Sequence, residues 1–145
     1  MSELVDQESK EPTGGHQWFP RSERAAGQAR RLVSEFLAQV DGGERYLDDG
    51  RLVVSELVAN AIQHGTRRGQ RIRVSWRLAE GLLHLAVDDA SNVHPIPRQA
   101  GADHEAGRGL SLVQTLTKEW GVSAREGIGK RVWAKCAPTE PDRVT

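Results

Sequence analysis

LVVSELVANAIQH, residues 52–64, is apolar enough to be buried and yet carries polar side chains at helical spacing. Glu56, Asn60 and His64 are each four residues apart, and at about 100° per residue they share one narrow arc with Gln63. The opposite side of such a helix is apolar and consists of Val54, Leu57, Val58, Ala61 and Ile62. The spacing therefore predicts a largely buried amphipathic helix with a narrow polar strip.

The polar strip has two interpretations. It can be the solvated face of an ordinary amphipathic helix, but such a face usually mixes lysine, arginine and glutamate, and neither lysine nor arginine occurs between Leu52 and Gly65. A carboxylate with a carboxamide one turn away suits Mg²⁺ chemistry, because the amide oxygen is a hard ligand and the acid can accept a proton. Glu56 and Asn60 are therefore candidate site residues.

The sequence around this helix predicts one α+β domain. The apolar periodicity predicts, in chain order, a strand at 16–19, helices at about 22–40 and about 45–64, and strands at 71–78 and 82–88. A helix from 109 onward and strands at 122–125 and 131–136 follow. The helix from Gly109 is predicted from the spacing of Leu112, Val113, Leu116 and Trp120. The order β-α-α-β-β-α-β-β predicts a two-layer α/β sandwich, with the helices on one face of a mostly antiparallel sheet.

Length and composition limit the classes of protein. The 145 residues suffice for one compact domain, which we expect over 16–137 between disordered tails at 1–15 and 138–145. Basic and acidic residues number 20 each, so no global positive field favours nucleic acid or an anionic membrane. No apolar run approaches the roughly 20 residues of a membrane span, and a single cysteine fits a reducing compartment. We therefore expect a cytoplasmic protein without direct nucleic-acid or membrane binding.

Gly107-Arg108-Gly109-Leu110 follows a long irregular segment and opens the third predicted helix. Glycines at such a place let backbone amides approach an anion, and the helix N-terminus adds its exposed N–H groups. The alternative interpretation is a plain turn, which has the same sequence pattern. The sequence lacks the G-x-x-x-x-G-K-[ST] motif of a P-loop, so a phosphate site here would follow another scheme.

Asp88 and Asp89 are paired acids at the predicted end of a strand. A carboxylate at a strand end can accept a hydrogen bond from an exocyclic amine such as that of adenine. For either aspartate alone, a turn-forming acid is the alternative interpretation.

In this order and spacing, the segments resemble the GHKL superfamily of gyrase, Hsp-ninety, histidine-kinase and MutL type ATPases, whose fold is the histidine kinase-like (Bergerat) sandwich. LVVSELVANAIQHG is similar to the family's N-box, LAVDDAS to its adenine-binding strand end, AGRGLSLV to its phosphate turn and GIGKRVWA to its final strand pair. The resemblance covers about residues 18–136 and is greatest to the actinobacterial anti-sigma regulatory factors, which are serine/threonine kinases.

Two positions depart from the family patterns. The histidine-kinase form has glycines two and four places after the acidic residue, where this chain has Ser91 and Val93, so that subtype is disfavoured. Arg131 replaces the threonine that the anti-sigma subgroup usually has after the position of Lys130. The resemblance therefore carries over no threonine contact to the nucleotide from that strand.

The resemblance implies ATP and Mg²⁺ as cofactors. Glu56 would be the catalytic base, Asn60 would hold Mg²⁺, and Asp89 would contact adenine, with Asp88 as the alternative. The remaining ATP-binding positions that it implies are His64, Gly107, Arg108, Gly109 and Leu110, with residues 91–106 as a lid.

The same resemblance implies transfer of the γ-phosphate of Mg·ATP to a serine or threonine of an anti-anti-sigma partner, combined with binding of a sigma factor. It also suggests that the chain can form a homodimer. A non-catalytic, nucleotide-responsive module that sequesters a regulatory partner is the main alternative. A structural α+β protein without a ligand is the third.

Overall fold

A computed structural model describes residues 13–65, 69–89, 105–124 and 129–140. Its elements are β1 (Gly14–Pro20), α1 (Ala25–Ala38), a 3₁₀ helix (Gly43–Tyr46), α2 (Leu47–Asn60), a π-helical turn (Ala61–Gly65), β2 (Arg71–Ala79), β3 (Leu82–Asp89), α3 (Glu105–Leu116), β4 (Glu119–Ala124) and β5 (Lys130–Cys136). The predicted succession of strands and helices is confirmed.

The five strands form one sheet in the order β1-β2-β3-β5-β4, and every neighbouring pair is antiparallel. In the register, Val87 of β3 lies opposite Val74 of β2 and Val132 of β5. Because side chains alternate across a strand, these three valines share one face of the sheet. All three are buried in a core shared with the helices, which confirms the predicted two-layer α+β sandwich.

Helix α2 is the central element of the helical layer, and it contacts α1, α3, β3 and β5. Its apolar stripe, Val53, Val54, Leu57 and Val58, is buried as predicted. Asp48 and Asp49 lie in its first turn, where carboxylates interact favourably with the helix dipole. A Cβ on Gly50 would lie 2.8 Å from Cδ2 of Leu83, so this glycine lets the helix approach β3 closely. The sequence thus places α2 directly on the sheet.

Two predictions about the third helix are wrong. Helix α3 begins at Glu105, ahead of Gly107, rather than at Gly109. It ends at Leu116, and Trp120 lies in β4 although its spacing continues the helical pattern. The physical reason is a competing partner, since the N–H of Lys118 donates to the carbonyl of Lys135 at 2.8 Å. Pairing with β5 therefore starts before another helical turn can form.

Thr139 fixes the chain beyond the last strand. Its N–H donates to the carbonyl of Arg45 at 2.8 Å, and Nε of Arg45 donates to the carbonyl of Thr139 at 2.9 Å. The described structure thus extends past the predicted domain end at 137, and β1 begins before residue 16. Residues 1–12 and 141–145, most of the predicted tails, lie outside the described residues. None of the helices in the described ranges is long and apolar enough to cross a membrane.

Candidate functional site

Glu56 and Asn60 lie one helical turn apart at the C-terminal end of α2. Asn60 is the last residue of the helix and is only 4% exposed, whereas Glu56 is half-buried. The predicted strip holds for these two residues. Gln63 and His64 instead belong to the π-helical turn Ala61–Gly65, whose wider winding breaks the α-helical spacing on which their placement was based.

Asp89 ends β3 on the face that packs against the helices, in phase with Val87. It is fully buried, and the Nζ of Lys130 lies 2.9 Å and 3.1 Å from its two carboxylate oxygens. The two residues are directly opposite in the β3–β5 register. Lys130, the ion-pair partner of Asp89, is not among the candidate residues predicted from the sequence. The sequence does contain one indication of its position, because Lys130 alternates in phase with Val132 and Ala134 on the core face of β5.

Asp88 points to the other face of the sheet, away from the helices. It accepts hydrogen bonds from Arg131 at 2.6 Å and 3.0 Å, and Nη1 of Arg73 lies 3.6 Å from it. The hydrogen bond to Asp88 raises the pKa of Arg131 above its ordinary value. The structure thus separates the two acids that the sequence left as alternatives, and only Asp89 faces the side where α2 lies.

The three segments singled out in the sequence lie on elements that contact one another. Helix α2 contacts both β3 and α3, and the π-helical turn after Asn60 also contacts β3. Gly107, Arg108 and Gly109 lie in the first turns of α3 rather than in a turn ahead of it. The side chain of Leu110 is buried in the interior. Residues 90–104, the greater part of the predicted lid, lie outside the described residues.

The polar donors on α2 are of the kind that Mg²⁺ prefers. Mg²⁺ in phosphoryl-transfer sites takes one or two protein oxygens and completes its shell with phosphate oxygens and water. Asn60 offers an amide oxygen and Glu56 a carboxylate on the same face of α2. Among the described residues no group of three or more His, Cys, Asp or Glu side chains could hold a metal by itself. Asn60 and Glu56 could supply one or two protein oxygens to a metal ion.

A family model described as the histidine kinase-like ATPase domain matches residues 19–136. This match covers all of the candidate site residues, and the chain belongs to that family. Membership of an ATPase family implies a nucleotide-binding domain.

Among curated relatives, the chain is similar to the anti-sigma F factor of Geobacillus stearothermophilus, with 29% identity over 134 residues, 86% of this chain and 91% of the relative. The anti-sigma F factor of Geobacillus kaustophilus is 29% identical over 129 residues, 82% of this chain and 88% of the relative.

Among solved structures, the fold is similar to a crystal structure of the RsbU and RsbW domains of a Mycobacterium tuberculosis protein. The TM-score is 0.65 at 20% sequence identity, over 92% of this chain. This chain spans 35% of that longer chain, and at this identity the likeness shows the fold alone.

Proposed function

We propose that this protein is an anti-sigma factor of the serine/threonine kinase type, which acts in the cytoplasm. It transfers the γ-phosphate of Mg·ATP to a serine or threonine of an anti-anti-sigma partner, and it binds a sigma factor. The observation that carries the proposal is the placement of Glu56 and Asn60 one turn apart on α2, which contacts β3, the strand that ends at the buried Asp89. Similarity to anti-sigma F factors along most of the chain supports the partner class.

Each site residue has a separate task in this proposal. The carboxylate of Asp89 has about four lone-pair positions, so it can accept from the adenine amine while it stays paired with Lys130. The buried amide of Asn60 holds the metal, which supplies charge neutralisation at the phosphates when bound. Glu56 orients the acceptor hydroxyl of the partner protein.

In the proposed transfer step, Glu56 is the proton acceptor. The acceptor hydroxyl oxygen forms a bond to the γ-phosphorus, and the bond from that phosphorus to the bridging oxygen breaks as ADP leaves. The hydroxyl proton passes to the carboxylate of Glu56. Because Glu56 is half-buried, it can be reached by a partner's side chain while its surroundings limit its motion.

A non-catalytic, nucleotide-responsive binding module is the second candidate. The observation that favours it is the ion pair itself, since Lys130 already engages both oxygens of the carboxylate proposed to recognise adenine. In such a module, nucleotide binding would alter partner affinity without any phosphate transfer.

The test follows labelled phosphate from Mg·ATP to candidate anti-anti-sigma proteins. We expect Glu56→Gln to lower the transfer rate by about 10²–10⁴-fold, the usual contribution of a general base, while ATP binding is retained. Glu35→Gln, an exposed glutamate on α1, is the matched control and should transfer normally. Equal rates for wild type and Glu56→Gln would remove Glu56 from the mechanism. ATP binding without transfer by the wild type would favour the second candidate.

A further inference from the structure

The face of the sheet that points away from the helices carries a groove of about 380 Å³. It crosses β1, β2, β3 and β5, and it lies on the opposite side of the sheet from Asp89. The groove is therefore separate from the candidate nucleotide site, and the proposed function does not use it.

Four cationic side chains line this groove: Arg73 and Arg77 from β2, and Arg131 and Lys135 from β5. No aspartate or glutamate is among the described residues that line it. Asp88 pairs with Arg73 and Arg131, and the exposed Glu119 pairs with Lys135 at 3.4 Å, so the four cations outnumber the two carboxylates that pair with them. His16 adds ring nitrogens that can form hydrogen bonds with a ligand, whereas Nε2 of His84 already lies 3.3 Å from the carbonyl oxygen of Ala79.

Asp88 holds two of the guanidinium groups in place from beneath. Its side chain is only 4% exposed, whereas those of Arg131 and Arg73 are 43% and 30% exposed. The carboxylate is thus hidden, and the cations that it orients face outward. Since these arginines are ordered before any ligand arrives, they lose less conformational entropy when they pair with an incoming carboxylate.

Trp133 forms a fixed wall of the groove. Its Nε1 donates to Oγ of Ser123 at 3.1 Å, and Nζ of Lys135 lies 5.4 Å from the ring centroid. A Cβ on Gly121 would lie 2.6 Å from the ring, so the indole lies directly on that glycine. Because one side of the ring rests on the sheet and a lysine approaches the ring, Trp133 is a poor platform for stacking a nucleobase.

We propose that this cationic groove binds an acidic, extended segment of a partner protein. Asp88 engages Nε and Nη2 of Arg131, so an incoming carboxylate would pair with the outer N–H groups of the arginines and with Lys135, which favours a segment with several aspartate or glutamate side chains. The neutral net charge and the covered indole argue against a nucleic-acid strand as the occupant.

Fluorescence anisotropy with a labelled octaglutamate peptide tests the proposal. We expect binding by the wild-type protein that weakens with added salt, and a loss of about tenfold or more in Arg77→Glu/Lys135→Glu. The matched control is Arg31→Glu/Arg51→Glu, which makes the same charge change at exposed positions of the helical layer and should bind normally. Far-UV circular dichroism and melting temperature verify that both double variants fold.

Other outcomes would overturn the proposal. These are no octaglutamate binding by the wild type, equal weakening in both double variants, or preferential binding of an eight-nucleotide oligothymidylate that depends on Arg77 and Lys135. Sedimentation at the same protein concentrations shows whether a second copy of the chain occupies the groove, and self-association abolished by Arg77→Glu/Lys135→Glu would also overturn it. None of these measurements needs ATP, so their failure is distinct from a failure of the kinase proposal.

Discussion

The ammonium group of Lys130 and the carboxylate of Asp89 form an ion pair that is removed from water, with side-chain exposures of 2% and 0%. Burying two charges costs several kcal/mol per ion by general estimates, and only close mutual contact offsets this. Each partner therefore depends on the other. The sequence offers no local signal of the pair, because its members are 41 residues apart and meet only through β3–β5 pairing.

Removing only the lysine should be strongly destabilising. We expect Lys130→Met to lower the free energy of unfolding by about 3–5 kcal/mol, because it leaves the charge of Asp89 buried without its cation. The double variant Lys130→Met/Asp89→Leu should recover most of this loss, since neither charge of the pair remains. Urea unfolding without nucleotide measures both. A double variant as unstable as the single one would show that the ion pair is not the cause.

Cys136 provides a pH-dependent contribution to stability. Burial, with a smaller effect from Asp49, raises the pKa of its thiol from 9.0 to about 12. Below pH 9 the thiol is protonated in both the folded and the unfolded chain and contributes nothing to pH dependence. Between pH 9 and 12 the unfolded chain releases the proton while the folded chain retains it, so rising pH favours unfolding.

The wild type should therefore lose more stability than Cys136→Ala when the pH is raised from 8 to 10. The expected extra loss is about 1 kcal/mol, the value of roughly one pKa unit. Urea unfolding of both proteins at the two pH values measures the difference, and other titrating groups cancel because both proteins share them. Identical pH dependence would contradict a raised thiol pKa.

At the scale of elements, the connection between α1 and α2 depends on Gly43. A Cβ at this position would overlap the carbonyl oxygen of Leu37, which is backbone and cannot move aside as a side chain can. The N–H of Gly43 also donates to the carbonyl of Val40 at 2.9 Å. The end of α1 and the start of the 3₁₀ helix are thus packed backbone to backbone.

Two glycine-to-alanine variants should have opposite effects. Gly43→Ala should lower the free energy of unfolding by about 1–3 kcal/mol through the steric overlap. Gly27→Ala lies inside α1, where the nearest neighbour of a new Cβ is Nη2 of Arg30 at 3.5 Å, and should raise it by about 0.5–1 kcal/mol through helix propensity. Denaturant titration of both variants tests the contrast. Equal stability of the two would contradict the packing argument.

The helices and strands that bury an apolar stripe could be predicted from sequence, because periodicity reports burial directly. The side of α2 that packs in the core is determined by its apolar stripe, Val53, Val54, Leu57 and Val58. Once that side is known, the helical spacing also gives the positions of Glu56 and Asn60 around the helix. The sequence predictions are wrong where backbone contacts between distant segments determine the secondary structure. Trp120 continues a helical spacing but lies in β4, which pairs with β5, and the π-helical turn after Asn60 leaves no trace in the periodicity.

At the scale of the whole molecule, the sheet separates two candidate binding surfaces. Asp89 lies on the helix-covered face with Asn60, whereas Arg77 and Lys135 line the groove on the other face. A ligand that binds only the folded chain must stabilise it, by about 2.7 kcal/mol when its concentration is 100 times its dissociation constant. Nucleotide binding should therefore be visible as a thermal shift.

We expect Mg·ATP at that excess to raise the melting temperature of the wild type by about 5–10 °C, the shift typical of a domain of this size. Asn60→Ala should show a much smaller shift relative to its own unliganded melting temperature, because the proposed metal contact is lost. Arg77→Glu/Lys135→Glu should retain the full shift, since both substitutions lie across the sheet from the nucleotide. Absence of any shift in the wild type would favour a protein without a nucleotide ligand. A shift lost in the groove variant but kept in Asn60→Ala would assign the nucleotide to the cationic groove instead.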